Sequence, residues 1–446
     1  MSAVNIASQA GEAQISLFEI TSNYSGTLEV SPGVVELNYY ESILDNTVRV
    51  TSTLVDTGGK DFSLFEDGSI NLTVGEKVQL RMTDGYGFQL DFTGDKELRI
   101  DKARAIEEST NKMSVTIDLF SKESINNELE QYRVKQRFDG KISDSVNKIL
   151  TEVLKTEKEV DIDESLNNLS FLPVSQCIDS FALDKPLNQL TWLAPRSVPD
   201  APNAKGNLAG YFFYETYEGF KFKSIDKLFL DQEPKRKLIF NNTIGEIPPG
   251  YDSKILDYSF HNSFDMRSAL TTGSQTAAKM KSVNSYESAY RENPFESSSQ
   301  FNEDNTGGKE QPKIASDLGV QEQVSRVSYK WDDPGFLVEG KTLKDQLPKS
   351  TYINYSNDEI LRQSYMRYNN LFSVKLSLTI AGDMSLRAGD LVHCDFAEIS
   401  NKQEKTYSTK KSGIYMIVDV CHRVTKTGCH TRLNLVRESI GRKSFK

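Results

Sequence analysis

Three adjacent Cys/His pairs are the residues best equipped for chemistry: His393-Cys394, Cys421-His422 and Cys429-His430. They hold three of the four cysteines and three of the four histidines. Thiolate and imidazole are ligands that zinc prefers in tetrahedral sites. The spacing matches no zinc-finger pattern, because neither Cys-x-x-Cys nor His-x-x-x-His occurs. Neighbouring side chains of a strand also point to opposite faces, so each pair offers one ligand per face. Buried reduced thiols beside surface imidazoles are the competing reading. Acidic clusters such as Asp161-Ile162-Asp163-Glu164 and Asp332-Asp333-Pro334 supply carboxylates. A glycosidase needs two of them held about 5–9 Å apart across a sugar, a spacing that sequence does not reveal. No Gly-x-Ser-x-Gly elbow, phosphate-binding loop or dinucleotide fingerprint is present. No catalytic residue and no cofactor is assigned.

The elements that would position these residues are mainly strands. Val48–Val55 alternates Val, Thr and Leu, and Val78, Leu80 and Met82 share one face of the next run. Runs at 88–92, 98–106 and 113–120 follow, separated by Asp84-Gly85, Thr93-Gly94-Asp95 and Thr110-Asn111-Lys112. Short strands at this spacing predict a small barrel or sandwich. From Ser143 to Lys158 the period changes: Val146, Ile149, Leu150, Val153 and Leu154 mark an amphipathic helix. A second helix is expected from Pro186, ending before Pro195. Tyr211–Glu215 and Phe220–Ser224 flank Tyr217-Glu218-Gly219 as a hairpin. Residues 271–319, rich in Ser, Asn, Gln and Gly, read as a mobile insertion, with a docking helix around Met280, Tyr286 and Tyr290. A helix carrying Ile360, Leu361, Tyr365 and Tyr368 follows, then strands at 372–380, 390–396, 413–422 and 431–437.

Composition narrows the classes. The 446 residues carry 53 Lys/Arg and 63 Asp/Glu, a net charge of −10, which disfavours a generally basic nucleic-acid binder. No run of about eighteen apolar residues predicts a membrane span. The first residues lack the basic-then-apolar export pattern, and four cysteines make no disulfide framework. Charge is uneven. Residues 401–446 hold eleven Lys/Arg and three Asp/Glu, leaving the acidic excess in the rest of the chain. A docking surface, an uneven channel wall and a solvated basic tail are all consistent with that split.

The strand runs repeat. Val48–Val55 resembles Val374–Ile380, and Gly75-Glu76-Lys77-Val78 resembles Gly389-Asp390-Leu391-Val392. Leu98-Arg99-Ile100-Asp101 opens a strand as Tyr415-Met416-Ile417-Val418 does, and Ser114–Phe120 matches Thr431–Val436 in pattern. Chance alternation is the alternative. A true repeat gives each chain two copies of one β domain, and three chains then place six similar domains around an axis.

Leu386–Val392, Ser412–Ile417, Val420–Val424 and Leu433–Arg437, in this order, resemble the last domain of phage tail hub proteins. Upstream, Leu187–Ala194 followed by the 211–222 hairpin is similar to the helix-then-hairpin region of that family. Chain length and the two β domains suit the central baseplate hub of contractile-tailed, cyanophage-like myoviruses. The resemblance implies a mainly β fold with α insertions (α+β): two similar tube-type β-barrel or sandwich domains plus helical and loop insertions. The expected domains are a first tube-type domain (1–125), a helical connection (126–205), and a hairpin region serving the second tube domain or a spike-facing cup (206–270). A polar insertion and linker (271–350) and a second tube-type domain with a basic end (351–446) complete the chain. The implied function is structural. A homotrimer joins a threefold cell-puncturing spike to the sixfold tail tube, contacts tube-initiator and other baseplate proteins, and lets DNA pass without specific binding. It sits in the virion tail after assembly in the host cytoplasm. The resemblance places the ring contact at edge strands, with Val48, Val50, Thr53, Val374, Leu376 and Leu378 as contact residues. The Cys/His residues His393, Cys394, Cys421, His422, Cys429 and His430 belong to no known signature of the family. A metal-binding tail component therefore stays open, as does a spike-associated peptidoglycan hydrolase.

Overall fold

The computed structural model describes residues 11–23, 26–56, 72, 74–109, 112–173, 177–178, 181–182, 184–200, 208–230, 232–240, 254–261, 267, 277–284, 289–296, 306–310, 324–332, 342, 344–345, 357–397 and 407–443. Eight strands come first: β1 (Ala13–Ser22), β2 (Gly26–Glu29), β3 (Val34–Ser42), β4 (Arg49–Asp56), β5 (Lys77–Asp84), β6 (Gln89–Phe92), β7 (Leu98–Ser109) and β8 (Lys112–Ser121). Their inward faces (Phe18, Ile20, Leu37, Val50, Leu80, Ile100, Ile117) form one apolar core, as period-2 alternation requires.

A helical layer follows. It contains α1 (Lys122–Asn126), α2 (Ile142–Lys148), a π turn (Ile149–Val153), β9 (Glu159–Ile162), β10 (Cys177–Ile178), β11 (Phe181–Ala182) and α3 (Pro186–Leu193). The expected first helix thus ends earlier than Lys158, where Lys155 takes a left-handed φ of 55°. The second starts at Pro186, whose fixed φ and missing N–H suit a first turn. The hairpin β12 (Tyr211–Thr216) and β13 (Gly219–Ser224) pairs with β9, and α4 (Ile225–Leu230) follows it. Val146, Leu150, Leu190, Phe213 and Phe222 make this layer's own core.

The remaining elements are β14 (Arg236–Phe240), β15 (Ile255–His261), β16 (Ala277–Asn284), β17 (Ala289–Glu296), β18 (Val324–Asp332), α5 (Asn357–Leu371), β19 (Val374–Ala381), β20 (Leu391–Phe396), β21 (Gly413–Thr425) and β22 (Gly428–Arg437). The docking helix expected around Met280, Tyr286 and Tyr290 is corrected within the described residues. β16 pairs antiparallel with β17 and parallel with β18, so Met280 and Tyr290 lie in strands; Tyr286 is outside the described residues. The hairpin partner and the more distant β18 supply the ladder that local composition does not announce. Gly308 and Lys309 in turn bond to Ser439 and Ile440 near the chain end. Helix α5 packs on the helical layer through Arg367–Asp226 (2.5 Å) and Ser364 Oγ, which donates to Pro195 O at 2.5 Å.

One fourteen-stranded sheet contains the same unit twice. The first unit runs β3-β4-β8-β7-β5-β1 and the second β15-β19-β22-β21-β20-β14. Registers agree position by position. Arg49 faces Phe120 as Lys375 faces Val436, and Lys77 faces Arg99 as Leu391 faces Met416. Irregularities recur too: Ile100/Lys102 matches Ile417/Asp419, and Val34/Glu36 matches Ile255/Asp257. The four segment matches read from the sequence fall on these equivalent strands. The copies differ at their ends, where β1 joins β5 antiparallel and β14 joins β20 parallel.

Candidate assembly interface

The two units join by a strand pair. The second half of β21 lies antiparallel to β3, from Asp419–Ser42 through Cys421–Tyr40 and His422–Tyr39 to Thr425–Glu36. The inward face packs Tyr39, Leu37 and Val424, all buried, and His422 stacks on Tyr39 at 6.0 Å.

Buried charge ties the units a second time. Between β19 and β20 the loop 382–390 reaches the first unit. There Glu41 accepts hydrogen bonds from Tyr39 Oη (2.6 Å), Tyr217 N (2.8 Å) and Ala388 N (3.0 Å), and Arg387 Nε lies 3.7 Å away. Burial raises the Glu41 carboxyl above its ordinary value, against the pull of Arg387. Asp84 Oδ2 accepts from Met384 N (2.7 Å), and Asp383 holds Arg236 Nε at 2.7 Å. Arg236 also lies over the Tyr86 ring at 5.3 Å.

The outer face of the junction is a polar trough of about 1020 Å³. Glu36, Glu41, Asp45 and Asp419 line it with Arg49, Arg423 and Arg432. Arg423 donates to Glu36 at 2.9 Å, so opposite charges alternate and partly cancel along the wall. Two residues of the basic end are spent inside the chain, while Lys410, Lys411, Arg423, Lys426 and Arg432 stay exposed. Arg442 chelates Asp395 (2.8 and 3.1 Å), and Arg437 is fully buried against the Ser412 and Lys410 carbonyls.

The six Cys/His residues do not converge. His393 is buried on β20, with Nε2 3.0 Å from Lys443 O, and burial holds its pKa down. Cys394, its neighbour, belongs to the second unit's core. His422 faces inward, with Nδ1 2.9 Å from Thr431 Oγ1, and burial pushes it down to about 3. Cys429 is buried in the first unit's core and burial pushes its thiol up to about 12. Cys421 and His430 face the trough instead. Among the described residues no three His, Cys, Asp or Glu side chains are grouped to hold a metal ion.

The expectation that Val48, Val50, Thr53, Val374, Leu376 and Leu378 sit on edge strands is corrected. β4 lies between β3 and β8, and β19 between β15 and β22, so both ladders are already paired on each side. Val48, Val50, Val374, Leu376 and Leu378 are core residues. Edges lie elsewhere, β15 and the far part of β7 among them, which sequence reasoning did not single out; β15 is a short run that alternates around Tyr258 and Phe260.

No family model and no curated protein sequence matches the chain. Solved structures do. A tail protein from Neisseria meningitidis MC58 aligns over 94% of this chain and 96% of its own, with a TM-score of 0.52 and 9% identity. The 43 kDa tail protein of prophage MuSo2 from Shewanella oneidensis aligns over 95% and 98%, with a TM-score of 0.51 and 9% identity. The fold is therefore that of phage tail proteins, along nearly the whole chain.

Proposed function

We propose that this chain is a structural, non-enzymatic component of a phage tail baseplate. In this reading it is the homotrimeric hub that joins a threefold cell-puncturing spike to a sixfold tail tube and forms part of the DNA conduit. The observation that carries it is the duplicated unit. Three chains, each with two copies of one strand pattern joined edge to edge, present six equivalent units to a sixfold partner. The trough face is proposed as the conduit wall, its interspersed charges of both signs giving phosphate no continuous basic track to bind. Tube or tube-initiator proteins, the spike and other baseplate proteins are the proposed partners, in the virion after assembly in the host cytoplasm.

Light scattering on the purified protein is expected to return three times the chain mass of 50.3 kDa, and electron-microscopy class averages a ring of six similar lobes. A monomer at micromolar concentration overturns the ring. In a murein turbidity assay no clearing is expected; clearing overturns the non-enzymatic reading.

A further inference from the structure

Each chain carries one junction that is made and the two halves of the same junction unmade. In the made junction, β21 pairs with β20 over its first residues and with β3 over Asp419–Thr425. Its counterpart β7 pairs with β5 at Leu98 and Arg99 only, while β8 covers its other side along the length. Among the described residues no strand pairs with β7 on the β5 side beyond that point. The counterpart of β3 is β15, which pairs with β19 and is the outermost strand at its end of the sheet.

We propose that β15 of one copy pairs antiparallel with β7 of the next, in the register of the internal junction. The counterparts of Cys421–Tyr40, His422–Tyr39, Arg423–Asn38 and Val424–Leu37 are Arg104–His261, Ala105–Phe260, Ile106–Ser259 and Glu107–Tyr258. The contact is heterologous, so it closes into a ring or runs on as a filament, and the rotation between the two internal units sets which. Small Ala105 falls opposite Phe260, a member of an aromatic cluster with Tyr258 and Phe396. The inference rests on the ring reading and adds the strands and register that close it.

The test is the full-length double variant Arg104→Cys/His261→Cys under mild oxidation. Opposed residues of antiparallel strands have Cα atoms about 4.5–5.5 Å apart, within disulfide reach. Most of the chain is expected to run as a reducible covalent trimer on a non-reducing gel. The off-register variant Arg104→Cys/Ser259→Cys is expected to cross-link several-fold less. A trimer by light scattering that cross-links no better in register than out of it overturns this inference and leaves the ring standing. A monomer overturns both. Hydrogen exchange on the unmodified trimer gives a reading that needs no variant to fold: outward amides of residues 104–107 are expected to be protected, and exchange at open-chain rates overturns the pairing.

Discussion

Ser121 and Arg437 occupy equivalent ends of β8 and β22, yet the two units hold buried charge there in different ways. At the first, Lys158 Nζ sits between Glu123 (2.7 Å) and Glu215 (2.6 Å), and Glu215 also accepts from Ser121 Oγ (2.8 Å) and Val48 N (3.0 Å). Burial works against the ammonium, but Glu215 and Glu123 outweigh it and hold Lys158 above its ordinary value. At the second, the Arg437 guanidinium donates to backbone carbonyls and lies 4.4 Å over Tyr415. Among the described residues no carboxylate is in salt-bridge contact with it. One backbone pattern thus accepts a buried cation held by carboxylates or one held by carbonyls, provided the local partners match.

The largest expected break in that comparison is at Lys158. Lys158→Met leaves two buried carboxylates without a cation and is expected to cost about 3–5 kcal/mol of stability. Arg437→Met leaves carbonyls only, and about 1–2 kcal/mol is expected. Chemical denaturation of the two variants measures the gap; equal losses would show that the triad is no more than packing.

Next in size is pH dependence, with opposite signs. Glu438, beside Arg437, is raised by burial to about 7 from an ordinary 4.5. Its contribution is full below about 4.5 and is lost as pH rises through 7, at up to about 1.4 kcal/mol per pH unit. Glu438→Gln is expected to flatten that fall. His422, neutral at about 3 in the fold and ordinarily at 6.5, contributes stability that is lost as pH falls from 6.5 towards 3. His422→Gln is expected to remove that loss. Melting temperatures from pH 4 to 8 separate the two, and parallel curves for both variants and the parent would refute the assignment.

The smallest expected difference lies at a shared turn. Gly75 and Gly389 are equivalent, with φ of 85° and 89°, and each donates across to its counterpart strand, at Ile100 O and Ile417 O. A Cβ at Gly75 meets nothing within 4 Å, whereas at Gly389 it lies 2.2 Å from the Tyr214 hydroxyl. Gly75→Ala is expected to cost about 1 kcal/mol from backbone strain, and Gly389→Ala about 1–2 kcal/mol more. Equal melting temperatures would mean that Tyr214 moves aside freely.

The repeat was legible because its strands alternate cleanly and its turn keeps Gly followed by an acidic residue, Glu76 or Asp390. The helices at Ser143 and Pro186 were legible from period and punctuation. β16 and β17 were not: Lys279, Lys281, Ser282, Arg291 and Glu292 hide strands whose stability comes from one another and from β18. The interface failed for a different reason. Val50 and Leu376 read as good strand residues, but whether a strand is an edge depends on which partners the fold brings to it, and no local pattern encodes that. The Cys/His pairs misled by adjacency, since neighbours on a strand face apart and three strands place them in two cores and one trough.

The connection after β15 has an evolutionary consequence. Tyr40 and Arg49 face each other and are joined by a short turn, while the same positions in the second unit, His261 and Lys375, are joined through β16–β18 and α5. Because antiparallel partners leave the sheet side by side, the closure entropy of a longer excursion grows only with the logarithm of its length. The duplicated hairpin is thus a socket into which a lineage can splice new sequence at little thermodynamic cost, keeping one copy of the unit plain while the other acquires further elements.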